Sequence, residues 1–168
     1  VISVDYGTTN PCVFLDTWDD GQTIWVDREY RWDSRSEEAR RSTNPQKTDK
    51  QYADDMAEFM GERPRDQCMI IVDPSAASFI QELRSRGWVV KPAENEVLDG
   101  IRKVSTMLSR KNIKINRGCT GLTSEIQSYV WDDKAAEKGE EKPVKQLDHG
   151  PDALRYRINA LPKWRIGI

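Results

Sequence analysis

Cysteine is scarce in this chain and badly placed for pairing. The 168 residues carry three, Cys12, Cys68 and Cys119. They are too dispersed for the closely spaced pairs of a structural zinc site. An odd, scattered set fits a reducing compartment better than a disulfide framework. Histidine is scarcer still, with His149 alone. No apolar run approaches the ~18 residues that cross a membrane, and the start lacks the basic region and cleavage site of a signal peptide. The chain opens at Val1 on a strand-like run, which predicts a piece cut from a longer protein. Nor is there a surplus of positive charge. Lys and Arg number 26 against 28 Asp and Glu, a formal net charge of -2. That excludes a protein that coats nucleic acid without selectivity and confines any DNA contact to a local patch.

What is present suffices for one domain over 1–168, with 37% hydrophobic residues to build its core. Val1-Ile2-Ser3-Val4-Asp5 is a short β-type run that ends on a carboxylate, followed by turn chemistry through Pro11. Cys12 to Leu15 resumes the apolar pattern, Asp19-Asp20-Gly21 turns it, and residues 23–32 alternate, so residues 1–32 predict an antiparallel three-strand meander. Residues 33–47 are polar and predict a loop. Tyr52, Met56, Phe59 and Met60 recur at helical spacing and stop at Gly61. Cys68 to Val72 is continuously apolar, as a buried central strand is, and ends on Asp73-Pro74-Ser75. A helix through Phe79, Ile80 and Leu83, a strand at 88–90 and an amphipathic helix through Val97, Ile101, Val104 and Leu108 come next. Ile113-Lys114-Ile115 is a brief strand, and Leu122, Ile126 and Val130 mark a further helix. Residues 132–147 are charged and predict a protruding hairpin or mobile loop before a last helix through Leu154 and Ile158. The order implies a mixed sheet with helices on both faces.

The densest polar cluster is Asp148-His149-Gly150-Pro151-Asp152, at the start of that last helix. Asp148 reads as its N-cap, with Pro151 tolerated in the first turn. His149, Asp152 and Tyr156 share one helix face at spacings of three and four. Asp5 and Asp73 each follow a strand directly, where they either end it and cap the next turn or join Asp152 in one site. Converging carboxylates suit hard cations such as Mg²⁺ and Mn²⁺, and His149 either coordinates, orients water or is an ordinary surface histidine. The basic stretch from Arg102 to Arg117 is the candidate for phosphate contacts, chiefly through Arg102, Lys103, Arg110 and Lys111. Residues 98–117 hold six basic residues against Asp99 alone, a balance of +5. The six tryptophans suit core and loop anchoring better than base stacking.

Val4-Asp5-Tyr6-Gly7-Thr8-Thr9-Asn10-Pro11, Ile71-Val72-Asp73-Pro74-Ser75 and the stretch from Asp148 through Asp152-Ala153-Leu154-Arg155-Tyr156 together resemble the nuclease domain of bacteriophage large terminase subunits. The likeness covers almost the whole chain. It implies a ribonuclease H-like α/β fold, a mixed central sheet made of the antiparallel meander plus parallel strands. The activity implied is metal-dependent endonucleolytic cutting of concatemeric viral DNA during packaging, with two Mg²⁺ or Mn²⁺ ions on Asp5, Asp73 and Asp152 and with His149 beside them. The implied partners are double-stranded DNA and, in the full protein, the small terminase subunit and the capsid portal, in the host cytoplasm. The isolated domain is expected to be a monomer. The packaging ATPase half of that family carries a GxxxxGK[ST] loop that this chain lacks. A junction resolvase of the same fold and a non-catalytic module that binds DNA or the portal are the rival readings. Asp5 to Asn10 is also similar to the first phosphate loop of actin-like ATPases, but their second glycine-rich loop has no counterpart here.

Overall fold

The computed structural model describes residues 1–129 and 147–166. The expected hairpin or loop at 132–147 falls, apart from Leu147, outside the described residues. Three strands open the chain, β1 (Ile2–Asp5), β2 (Cys12–Asp19) and β3 (Ile24–Trp32), paired antiparallel as the alternation predicts. β4 (Met69–Val72) joins β1 in parallel, β5 (Val89–Pro92) joins β4, and β6 (Ile113–Ile115) joins β3. The six-stranded sheet has the order β5-β4-β1-β2-β3-β6, so β1 stands near the middle with its C-terminal end beside that of β4. Asp5 and Asp73 thereby meet at one end of the sheet.

The helices among the described residues are α1 (Glu37–Arg41), α2 (Asp49–Met60), α3 (Ala77–Ser85), α4 (Val97–Ser109), α5 (Thr120–Ser128), α6 (His149–Asn159) and α7 (Lys163–Ile166). The period-2 rule sorts the sheet into two cores. Ile2, Val4, Phe14 and Val72 pack with Tyr52, Met56, Phe79 and Leu83 of α2 and α3. Val13, Leu15, Ile24 and Val26 pack with Met107, Leu122, Leu154 and Ile158 of α4, α5 and α6 on the other face. Helices therefore cover both faces, as the sequence implies.

Two details differ from the sequence reading. The polar segment 33–47 contains α1, because the Ser36 side chain accepts from the Ala39 N–H and Ala39 is buried. Among the described tryptophans, core packing holds for Trp88, which is buried, and not for Trp18, Trp25 and Trp164, which are 55%, 47% and 76% exposed. Loop anchoring holds for Trp25, whose Nε1 donates to Asp20 at 2.8 Å, and for Trp32, whose Nε1 donates to the Pro45 carbonyl at 2.9 Å.

At the end of the sheet away from Asp5, Asp16 is buried and accepts a two-pronged bond from Arg63 (2.9 and 2.8 Å) and another from Arg28 (2.8 Å). Asp16→Ala is expected to cost about 2 kcal/mol, the low side for a broken buried pair because both guanidinium groups reach water. Urea denaturation would read the loss. Mn²⁺ affinity should not move.

Candidate active site

β1 delivers Asp5 to the α6 side of the sheet, since Ile2 and Val4 face the other core. Asp5 is 9% exposed, and its Oδ2 lies 2.8 Å from His149 Nδ1. Asp73 follows β4. Its Oδ1 accepts from the Ser75 N–H at 2.9 Å, so it caps the turn, while α3 begins only at Ala77. Its Oδ2 accepts from the Tyr156 hydroxyl at 3.0 Å. Asp152, in the first turn of α6, accepts from Arg155 Nε (3.2 Å) and Nη2 (3.0 Å), both on Oδ1. Asp5 Oδ1 and Asp152 Oδ2 have no protein hydrogen bond among the described residues.

These groups feel one another. Burial, and then repulsion from Asp152 and Asp73, push the Asp5 carboxyl up to about 6, although His149 pulls the other way. Burial also raises Asp152, against the attraction of Arg155. Burial works against a charged His149 ring, yet the bond to Asp5 and the carboxylates of Asp5, Asp148 and Glu125 raise it above its ordinary value. Tyr156 is 2% exposed, and burial with Asp5, Asp73 and Asp152 around it keeps its hydroxyl protonated. The structure thus brings Asp5, Asp73, Asp152 and His149 together, with Tyr156 and Arg155 as built-in donors that the sequence reading left without a role.

Asp148 corrects an expectation. It occupies the N-cap position of α6, but its side chain makes no capping bond. Glu125 of α5 does that work from outside the helix, with Oε2 accepting from the Gly150 N–H at 2.6 Å. Arg31 grips both Glu125 oxygens at 2.8 Å, and its Nε reaches Glu29 at 3.1 Å. A Cβ on Gly150 would lie 2.9 Å from Glu125 Oε2 and 3.1 Å from the Leu122 Cα, so glycine is what lets α6 start against α5. Gly100 of α4 does the same for Arg155, whose Cγ would meet a Cβ there at 2.6 Å, while Asn95 holds Arg155 Nη1 at 3.1 Å.

Two of the expected phosphate-binding residues, Arg110 and Lys111, lie far from Asp5 along the sheet. Asp5 pairs with Val13 and Val13 with Arg31, whereas Ile113 pairs with Ile24. From Ile24 to Arg31 is roughly 23 Å at about 3.3 Å per residue. Arg110 and Lys111, just before β6, therefore sit at the far end of the sheet. Arg110 bonds the Ile166 carbonyl, and Lys103 is paired with Asp99 at 2.7 Å. Arg102 is on the exposed side of α4.

A mixed sheet of this order, with acids converging where β1, β4 and the start of α6 meet, defines a ribonuclease H-like domain. The family described as terminase RNaseH-like domain matches residues 36–161, and the chain belongs to it. Over 95% of its length the chain is similar, at 45% identity and a TM-score of 0.87, to the large terminase of a thermophilic bacteriophage, a protein also solved in complex with ADP. It covers 39% of that protein, so it spans about two-fifths of the length of such relatives. The nuclease domain of the SPP1 large terminase, solved with bound Mn, shares the fold at 18% identity and a TM-score of 0.65, over 92% of this chain and 82% of that one. The large terminase nuclease of thermophilic phage G20c, with bound magnesium, does so at 11% identity and 0.63, over 95% and 78%. No curated protein matches the chain.

Among the described residues, no group of three or more His, Cys, Asp or Glu side chains is arranged to hold a single metal ion as it stands. The donor chemistry nevertheless fits hard cations. The set is all carboxylate oxygen with one imidazole beside it, two of the acids keep an oxygen free, and their mutual repulsion is what a cation would relieve.

Proposed function

We propose that this chain is a divalent-metal-dependent endodeoxyribonuclease, the part of a phage large terminase that cuts concatemeric viral DNA during packaging. The observation that carries the reading is the set of three carboxylates gathered about the buried Tyr156, with Asp5 pushed up to about 6 by burial and by its two neighbours. Asp5, Asp73 and Asp152 would hold two Mg²⁺ or Mn²⁺ ions, with His149 beside them. When bound, such ions supply positive charge to the attacking and leaving oxygens of the phosphodiester. The chain's own groups do the rest. Tyr156 fixes Asp73 through one oxygen. Arg155 fixes Asp152 through Oδ1 and leaves Oδ2 without a protein partner among the described residues. His149 is held at Nδ1 by Asp5 and keeps Nε2 for a proton of the attacking water. In the hydrolysis the water oxygen bonds to phosphorus as the bond from phosphorus to the 3′ oxygen breaks, and the 3′ oxygen leaves as a hydroxyl with a proton from solvent.

In the full protein, the small terminase subunit and the capsid portal are the partners that this role requires. The test is supercoiled plasmid incubated with Mn²⁺. Linear and nicked products should form, and both should vanish in EDTA and in Asp73→Asn. Cleavage that persists in either case would sink the reading.

A further inference from the structure

The inner face of α5 holds the start of α6; its outer face has no role in the site as described. There Thr120, Thr123, Ser124 and Gln127 recur at i, i+3, i+4 and i+7 and are all exposed. With Asn116 and Arg117 they line a groove of about 450 Å³. A solvent-facing helix stripe usually carries Lys and Glu, which favour helix and solubility. Thr and Ser are poorer helix formers. This stripe is made only of neutral hydrogen-bonding groups.

The electrostatics point the same way. No Asp or Glu occurs from residue 100 to 124 in a chain that has 28 of them. Arg117 has no carboxylate partner among the described residues. Among the described residues, the acids near the groove are Asp27, which accepts from Asn116 at 3.4 Å, and Glu29 and Glu125, both of which are turned inward onto Arg31. The groove is also aligned with the active site. The Asn116 N–H donates to the Val26 carbonyl at 2.8 Å, Leu122 N–H to Glu29 at 3.0 Å, and Glu125 meets Arg31. α5 therefore runs along β3 toward the end where Glu125 touches Gly150, next to His149.

We propose that the outer face of α5, with Arg117, is a contact surface for the DNA duplex, taking backbone phosphates away from the cut. The inference rests on the nuclease reading. Neutral hydroxyl and amide donors with one arginine are what binds phosphate oxygens and fixes register. Such a surface reads no bases.

The experiment is fluorescence anisotropy of a short labelled duplex with the 168-residue chain in EDTA, across a salt series, so that cleavage is silent. Arg117→Ala should weaken binding by about tenfold at low salt and reduce the slope of log K against log[salt] by about 1. The triple variant Thr120→Ala, Ser124→Ala, Gln127→Ala should weaken binding with little change of slope, because it removes no charge. Alanine favours helix, so loss of fold cannot mimic this result. Lys114 pairs with Trp25, on the sheet face opposite α5, and Lys114→Ala should bind as the parent does. The proposal is overturned if Arg117→Ala and the triple variant bind like the parent, or if Lys114→Ala loses as much as Arg117→Ala. Normal binding by those variants, with plasmid cleavage intact in the parent, would remove this surface and leave the nuclease reading standing. A parent that neither binds nor cleaves would remove both.

Discussion

Asp5→Asn is expected to give a protein that cuts no DNA and yet, in EDTA at neutral pH, unfolds at a higher temperature than its parent. The two effects have one cause. Asp5 is nearly buried, and Asp73 and Asp152 lie close enough to oppose its ionisation. Its carboxyl is therefore pushed up to about 6 from the ordinary 3.8. A carboxyl raised in the folded state makes the unfolded chain the stronger acid. Stability then falls as pH rises from about 4 to about 6, and the whole penalty persists above that. A shift of this size corresponds to up to about 3 kcal/mol, an order-of-magnitude figure. The amide has no charge to desolvate and can still accept from His149. In a domain of this size the gain would raise the melting temperature by up to roughly 10 °C.

The pH dependence tests the sign. The variant's advantage should be full at pH 7.5 and should disappear near pH 4, where the parent's Asp5 is protonated in the folded state. Mn²⁺ at about 1,000 times its Kd should reverse the order, because a ligand at that level stabilises only the protein that binds it, by about 4.1 kcal/mol. Scanning calorimetry at two pH values, with and without Mn²⁺, gives four comparisons. An Asn variant that is less stable than the parent in EDTA at pH 7.5 would show that Asp5 is held for packing and not strained for function.

Much of this site is legible in the sequence, for a local reason. A strand that ends on an acid and a helix that starts on one can each be read in a window of about ten residues. Asp5, Asp73 and Asp152 belong to such windows. What the sequence hides are side-chain partners that only the fold brings near. Arg31 and Glu125 lie 94 positions apart and Tyr156 and Asp73 lie 83 apart, and no periodicity announces either pair. The Asp148 cap fails for the same reason: a residue that suits the position locally is displaced by a carboxylate from another helix. The basic stretch is a different case: charges counted along the chain take no account of strand direction, and the parallel β6 carries Arg110 and Lys111 to the end of the sheet opposite Asp5.

The largest effect expected of a residue outside the carboxylate triad belongs to Glu125. Glu125→Ala leaves the Gly150 N–H at the start of α6 without its acceptor and leaves Arg31 with Glu29 alone. Breaking a buried charged network of this kind costs about 3 kcal/mol. The functional effect is separate from that cost. Gly150 lies between His149 and Asp152, so a shift of about 1 Å in the first turn moves both. Glu125 touches neither and would act as a positioning residue. Mn²⁺ affinity, measured by calorimetry at a temperature where circular dichroism shows the variant folded, should fall by about tenfold or more, and cleavage by about a hundredfold, since misplacement by about 1 Å is that costly. Duplex affinity in EDTA should be unchanged, which a generally loosened fold would not allow. Gly150→Ala should reproduce the defect from the other side, because its Cβ would meet Glu125 Oε2 at 2.9 Å. Glu125→Gln combined with Arg31→Met removes both charges and keeps an acceptor for Gly150, so it should recover much of the Mn²⁺ affinity that Glu125→Ala loses. If folded Glu125→Ala binds Mn²⁺ as tightly as the parent, Glu125 stabilises the fold and has no hold on the site.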